Sequence, residues 1–125
     1  FYTEAFGACE LVRNMLPNGV VLFVEIAVGD CRLLLSEETP GLDALAPPSI
    51  GGTPLLLHLE VDDVDTVAER AVRAGAQVEM PVQEMFWGER YGIVRDPYGH
   101  RWAVSTAREQ LTPDEVAERS PPEIP

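Results

Sequence analysis

From Leu55 to Val61 apolar and polar positions alternate, with Leu55, Leu57, Leu59 and Val61 on one side and Leu56, His58 and Glu60 on the other. Period two over such a run predicts a strand with one buried face. Asp62 and Asp63 then offer a helix N-cap. Val64, Val67, Ala68, Ala71 and Val72 follow at the i, i+3, i+4, i+7 and i+8 spacing of a helix that buries one stripe. Glu69 and Arg73 lie one turn apart on the outer face in the favourable order, and Gly75 is the expected stop. Leu55–Ala76 therefore reads as strand, capped helix and the start of the next strand. The odd-numbered apolar residues face the helix, and Leu56, His58 and Glu60 face away from it.

Upstream, Cys9–Met15 alternates loosely and Pro17-Asn18-Gly19 marks a turn. Val20–Val28 predicts a strand with Val20, Leu22, Val24, Ile26 and Val28 on one face and Val21, Phe23, Glu25 and Ala27 on the other. Gly29-Asp30 reads as a hairpin turn before a strand at Cys31–Ser36. Residues 37–54 carry Pro40-Gly41, Pro47-Pro48 and Gly51-Gly52, which predict a mobile linker. Downstream, Gln77–Met85 reads as a strand in which Pro81 requires an edge or a bulge. Phe86–Gly92 is a glycine-bounded loop, Gly92–Arg95 a short strand, Asp96–Gly99 a turn and His100–Thr106 the last strand. Thr112-Pro113-Asp114-Glu115 forms a capping box for a short helix ending near Arg119, and Ser120–Pro125 should be extended or disordered.

Ala5–Glu10 echoes Ala74–Glu79, with Gly7 matching Gly75 and Ala8 matching Ala76. Each is a helix end, a glycine stop and a strand start. The echo predicts a duplicated unit whose first copy lacks its opening strand in this chain. The expected layout is one α+β domain over residues 1–106, made of a truncated first module (1–36), the linker (37–54) and a second module (55–106). Residues 107–125 form a C-terminal extension.

Composition narrows the partners. The chain has 125 residues and a formal net charge of −12. Such an acidic chain is a poor ligand for nucleic acid or anionic membranes, and no run is long enough to span a bilayer. The charge suits either a cationic small molecule or merely a solvated surface. Cys9 and Cys31 could pair, but buried free thiols are the expectation, in keeping with a reducing cytoplasm.

Three stretches carry a family resemblance: Phe1–Ala8, Leu59–Asp65 and Asp96-Pro97-Tyr98-Gly99-His100. With Met85–Gly92, Trp102 and Leu111-Thr112-Pro113, the chain resembles the vicinal oxygen chelate superfamily, and within it the PhnB-like, glyoxalase/bleomycin-resistance-like subgroup. The resemblance implies paired βαβββ modules curving into a cup, and a homodimer in which cups are completed across subunits. Metal-dependent relatives place ligands at positions that fall here on Leu34, Leu56 and Ala103, a fourth lying upstream. None of these side chains can bind a cation that requires His, Cys or carboxylate. No cofactor is therefore expected; a divalent metal would require a register slip that moves the second-module ligand to His58.

Glu25, His58 and Glu60 are the polar residues expected on the cup-facing strand surfaces. A carboxylate beside a histidine can run proton transfer, or the carboxylates can sit on the rim while His58 donates one hydrogen bond. Arg32 and Arg101 share those faces and can pair with the carboxylates. Phe86, Trp87, Arg90 and Tyr91 suit stacking on a flat ligand, or equally the capping of a sheet edge or a dimer contact. Trp102 is expected in the core and His100 in an exposed turn. Two function classes follow: a metal-free protein that sequesters a small cationic or aromatic molecule, as in antibiotic resistance, and a lyase- or isomerase-type or metal-dependent enzyme using His58 and nearby carboxylates.

Overall fold

A computed structural model describes residues 1–124. The first sheet is antiparallel and ordered β1-β2-β3, from β1 (Cys9–Met15), β2 (Val21–Val28) and β3 (Cys31–Leu35), with the short helix α1 (Tyr2–Phe6) before it. A 3-10 turn (Pro40–Leu42) and helix α2 (Pro47–Ile50) follow. The second module contains β4 (Leu57–Glu60), α3 (Val64–Arg73), β5 (Gln77–Glu84), β6 (Glu89–Arg95) and β7 (Arg101–Ala107). Its sheet runs β4-β7-β6-β5, with β4 parallel to β7. Helix α4 (Pro113–Arg119) closes the chain on the expected capping box between Thr112 and Glu115. The architecture is α+β, with two separate sheets rather than one continuous curved sheet.

The repeat is visible in three dimensions. β1-β2-β3 and β5-β6-β7 are equivalent meanders, and β3 holds the place that β7 holds in the second sheet. β7 has β4 along its outer edge, whereas β3 has no strand there among the described residues. The modules meet through their helices. Ala5 of α1 and Ala71 of α3 are both fully buried in one cluster with Val94 and Trp102, and side chains this small let the helix backbones approach closely. Leu33, Leu57 and Leu59 pack against the same cluster, so the inner faces of both sheets serve one core. The opposite face of each sheet is turned outward.

Asp63 caps α3 by accepting from the Thr66 backbone N–H, as its position after the alternating strand implies. Pro81 lies in β5, an edge strand, where the pairing with β6 also slips. Gly99 has φ 92°, and a Cβ there would stand 2.9 Å from Pro47 Cβ, so the β6–β7 turn sits directly on α2. That contact, with prolines at the first helical positions, gives residues 47–50 regular structure where the sequence suggests only a mobile linker.

Several sequence expectations change. Cys9 and Cys31 are exposed, not buried: Cys9 lies opposite Ala27 on the outward face, and Cys31 opens β3 beside the hairpin turn. They flank β2 on either side, roughly 10 Å apart at two strand spacings, which is beyond disulfide reach. Strand β6 starts at Glu89, so Phe86–Gly88 is a tight turn and Tyr91 a strand residue instead of part of a long loop. Leu22 is exposed while Val24, Ile26 and Val28 are buried, because the β1–β2 pairing shifts beside the hairpin turn. Arg73 makes no ion pair with Glu69 among the described residues, and Arg70 instead donates to the Glu4 carbonyl, tying α3 to α1. His100 is half-buried, its backbone N–H held by Asp96. The last residue of the expected extended tail, Pro125, lies outside the described residues.

The strongest polar tie crosses the modules. Asp96 is 3% exposed and accepts four hydrogen bonds: Tyr2 Oη at 2.5 Å, Trp102 Nε1 at 3.0 Å, and the backbone N–H groups of Tyr98 and His100 at 2.9 and 3.0 Å. The Tyr2 phenol is held well above its ordinary pKa, by burial first and then by the hydrogen bond and charge of Asp96. Unfolded, it ionises near about pH 10. A folded value above the unfolded one leaves the stabilisation complete below about pH 10 and makes it decline as pH rises towards the folded value. Tyr2→Phe should lose about 1.5–3 kcal/mol at pH 7. It should also flatten the decline above pH 10, which urea denaturation from pH 7 to 11 would measure. An equal alkaline slope in both proteins would dismiss Tyr2 as its source.

Candidate functional site

Alternation along the second sheet sends Trp102, Val104 and Thr106 of β7 towards α3 and leaves Arg101, Ala103 and Ser105 on the outward, cup face. His58 and Glu60 of β4 share that face, opposite Ala103 and Ser105, and Tyr91 of β6 lies opposite Ser105 from the other side. His58 Nε2 is 2.7 Å from Ser105 Oγ, and Ser105 Oγ is 2.8 Å from Glu89 Oε2. The second oxygen of Glu89 accepts from Trp87 Nε1 at 2.7 Å. Four side chains from three strands and one turn thus form a single hydrogen-bonded chain.

The proton order within it follows from counting. A hydroxyl has one hydrogen, and a carboxylate only accepts. Ser105 donates to Glu89, so His58 Nε2–H must donate to Ser105. The imidazole is fixed with Nδ1 on its free edge. This polarity is the reverse of an activated serine, whose hydroxyl would donate to histidine. Ser105 therefore couples His58 to the Glu89 charge, and Nδ1 is the imidazole nitrogen left without a hydrogen-bond partner among the described residues.

Aromatic rings wall this chain. Tyr91 meets His58 edge-on with centroids 5.7 Å apart, Trp87 meets Tyr91 at 5.3 Å, and Phe86 meets Trp87 at 5.0 Å, all near perpendicular. The Tyr91 phenol is raised above its usual pKa, mainly by burial and then by the nearby Glu89 charge, with Arg101 opposing. It stays a neutral donor at neutral pH.

The other candidates are elsewhere. Glu25 lies on the first sheet, paired with Arg32 at 3.5 Å, and so is not the carboxylate beside His58. Glu60 is exposed on the cup rim and makes no side-chain hydrogen bond among the described residues. Arg90 alternates with Tyr91 and therefore faces α3, where its guanidinium donates to Asp65 at 2.7 and 2.9 Å. That pairing holds the Asp65 carboxyl below and the Arg90 guanidinium above its ordinary range. Arg101 pairs with Glu79 at 2.8 Å instead of with Glu25 or Glu60.

The donor set for a metal is not assembled. Ala103 is fully buried beside His58, Leu34 is exposed on the other sheet, and no three His, Cys, Asp or Glu side chains converge among the described residues. Nor is any described helix long and apolar enough to cross a membrane.

Glu89 and Ser105 are the residues of the candidate site that sequence reasoning missed. A signal existed: His58 stands two residues beyond Leu56, and Ser105 two beyond Ala103. Both aliphatic positions thus have a polar residue one alternation further along the same face.

Comparison with known proteins agrees with this architecture. The family model described as Glyoxalase/Bleomycin resistance protein/Dioxygenase superfamily matches residues 1–104. An uncharacterised Mycobacterium bovis protein is 37% identical over 119 residues, covering 93% of this chain and 78% of its own. Among solved structures, TioX from Micromonospora sp. ML1 superposes with a TM-score of 0.63 at 25% identity, over 89% of this chain and 86% of its own. The PhnB protein of Bacillus cereus superposes with a TM-score of 0.64 at 15% identity, over 85% of each chain, a likeness of fold alone.

Proposed function

The chain belongs to the Glyoxalase/Bleomycin resistance protein/Dioxygenase superfamily, and from that premise we propose that it binds a small aromatic, preferentially cationic, molecule on the cup face around His58 without a metal. The observation that carries this reading is the hydrogen-bonded chain His58–Ser105–Glu89–Trp87 with the perpendicular rings of Phe86, Trp87 and Tyr91 beside it. It supplies aromatic ring faces and edges, one oriented polar atom at His58 Nδ1, and the carboxylates of Glu60 and Glu89 near a bound cation. Leu56 and Ala103, where the resemblance to metal-dependent relatives calls for ligands, favour a metal-free cup. The outward face of the first sheet is exposed among the described residues, and a homodimer that brings the first sheet of one copy against the second sheet of another would enclose the ligand.

A second reading has its own support. An oriented histidine coupled through a hydroxyl to a carboxylate is a competent proton acceptor, so a lyase or isomerase step at His58 Nδ1 is the enzymatic alternative.

Metal analysis of the purified protein, with a thermal-shift screen of planar cationic aromatics before and after chelator treatment, tests both. The expected result is less than stoichiometric metal, stabilisation by a subset of the compounds unaffected by chelator, and affinity at least tenfold weaker in His58→Ala and Trp87→Ala. Stoichiometric metal that is lost in His58→Ala would overturn the metal-free reading. Turnover of a bound compound would select the enzyme.

A further inference from the structure

A cavity of about 560 Å³ opens where the end of the second sheet meets α2 and the segment after it, bordered by Arg95, Arg101, Gln77, Gly51, Gly52 and Thr53. In a chain with a net charge of −12, two guanidinium groups meet on one cavity wall, where they offset the local negative charge of Glu79 and Asp96. The carboxylate between them is Glu79, which accepts from Arg95 Nε and from Arg101 Nε at 2.8 Å each. Burial alone would raise the Glu79 pKa, but the hydrogen bonds from Arg101 and Arg95 outweigh it and hold the group below its ordinary range. Glu79 is thus an anion that fixes both guanidinium planes through one nitrogen each. A guanidinium carries five N–H donors, so the terminal nitrogens of both remain available.

Asp96 also borders the cavity, but both of its oxygens are occupied by Tyr2, Trp102 and the turn backbone. The glycines Gly51 and Gly52 place no side chain between backbone and cavity, and Thr53 adds a hydroxyl. Planar, pre-oriented guanidinium groups beside bare backbone form a surface matched to a planar or tetrahedral oxyanion, bound by charge-assisted and bidentate hydrogen bonds. Arg101 lies four residues before Ser105 on the same face of β7, roughly 13 Å along the strand, so this place is distinct from the His58 cluster.

We infer that the cavity beside Arg95 and Arg101 is a binding site for the oxyanion group, phosphoryl or carboxylate, of a small molecule, with Glu79 as the fixed anion that orients the two arginines. The ligand then takes the terminal nitrogens that Glu79 leaves free, a property that a purely structural ion triad lacks.

The test titrates phenyl phosphate and benzoate into the full chain at low ionic strength, following the backbone amides of Gly51 and Gly52 and the arginine Nε–H signals by NMR. Saturable shifts at these groups are expected with at least one probe; tighter phenyl phosphate assigns a phosphoryl group, and tighter benzoate a carboxylate. Arg95→Gln and Arg101→Gln should each weaken binding at least tenfold, while Glu79→Gln, which keeps an acceptor between the arginines but removes the opposing negative charge, should strengthen it several-fold. Thermal denaturation of each variant separates lost binding from lost fold, and Arg101→Lys, which keeps the charge without the fork, should show intermediate affinity. No saturable shift with either probe would overturn the site. So would binding that is unchanged when both arginines are replaced in a folded double variant.

Discussion

Asp96→Ala is expected to cost about 3–5 kcal/mol of stability, the range for removing one side of a buried, hydrogen-bonded charge. The substitution orphans four donors at once. Tyr2 Oη and Trp102 Nε1 lie between α1 and the second sheet, and each loses the carboxylate oxygen it donates to. The Tyr98 and His100 N–H groups sit in a surface turn and can recover water, which keeps the total below the sum of four separate losses. Set against a typical total of about 5–15 kcal/mol for a domain, the change leaves a marginal protein. Asp96→Asn should cost roughly half as much, since the remaining carbonyl can still serve the two backbone donors and the amide can donate to Tyr2 Oη, leaving only the Trp102 N–H without an acceptor. Urea denaturation at pH 7 measures both variants. A loss under about 1 kcal/mol for the alanine variant would mean that the network does not tie the modules together.

Glu89→Ala is expected to cost about 2–4 kcal/mol and to disorganise the candidate site in one step. Ser105 is fully buried and donates its hydroxyl hydrogen to Glu89, and Trp87 donates its indole N–H to the other oxygen. Without the carboxylate, the Ser105 hydrogen has His58 Nε2 as its nearest alternative acceptor. The imidazole then shifts to its other neutral tautomer, with the proton on Nδ1. Nitrogen NMR of the His58 ring reads this directly: Nε2–H in the parent and Nδ1–H in Glu89→Ala. Glu89→Gln, which keeps an acceptor for Ser105, should retain the parent tautomer and most of the stability. The same tautomer in all three proteins would dismiss Glu89 as the group that sets it. Binding of an aromatic ligand should weaken with the tautomer change, because the atom presented to the cup changes from acceptor to donor.

Much of the fold was legible because it rests on local periodicity. Leu57 and Leu59 turn inward and His58 and Glu60 outward, as strict alternation requires. The Asp63 cap, the Pro81 edge, the Asp96–Gly99 turn and the Thr112–Glu115 box all appear where their own side-chain chemistry places them. The site was less legible. His58, Trp87 and Tyr91 do come together, but Arg90 departs from them because β6 begins at Glu89, which sends successive side chains to opposite faces. Glu25 looked like a partner for His58 only while both sheets could be imagined as one surface.

The amino-acid order by itself determined most elements and their buried faces, because each is written in contacts between residues a few positions apart, and it showed the internal repeat and the family resemblance through recurring motifs. Only the tertiary structure decided which carboxylate stands beside His58, that Ser105 links the two, and that Arg95 and Arg101 converge on Glu79. Those partners are 16 to 47 residues apart around Ser105 and 16 and 22 for the arginines. Strand order and register bring them together, and no local pattern records either one.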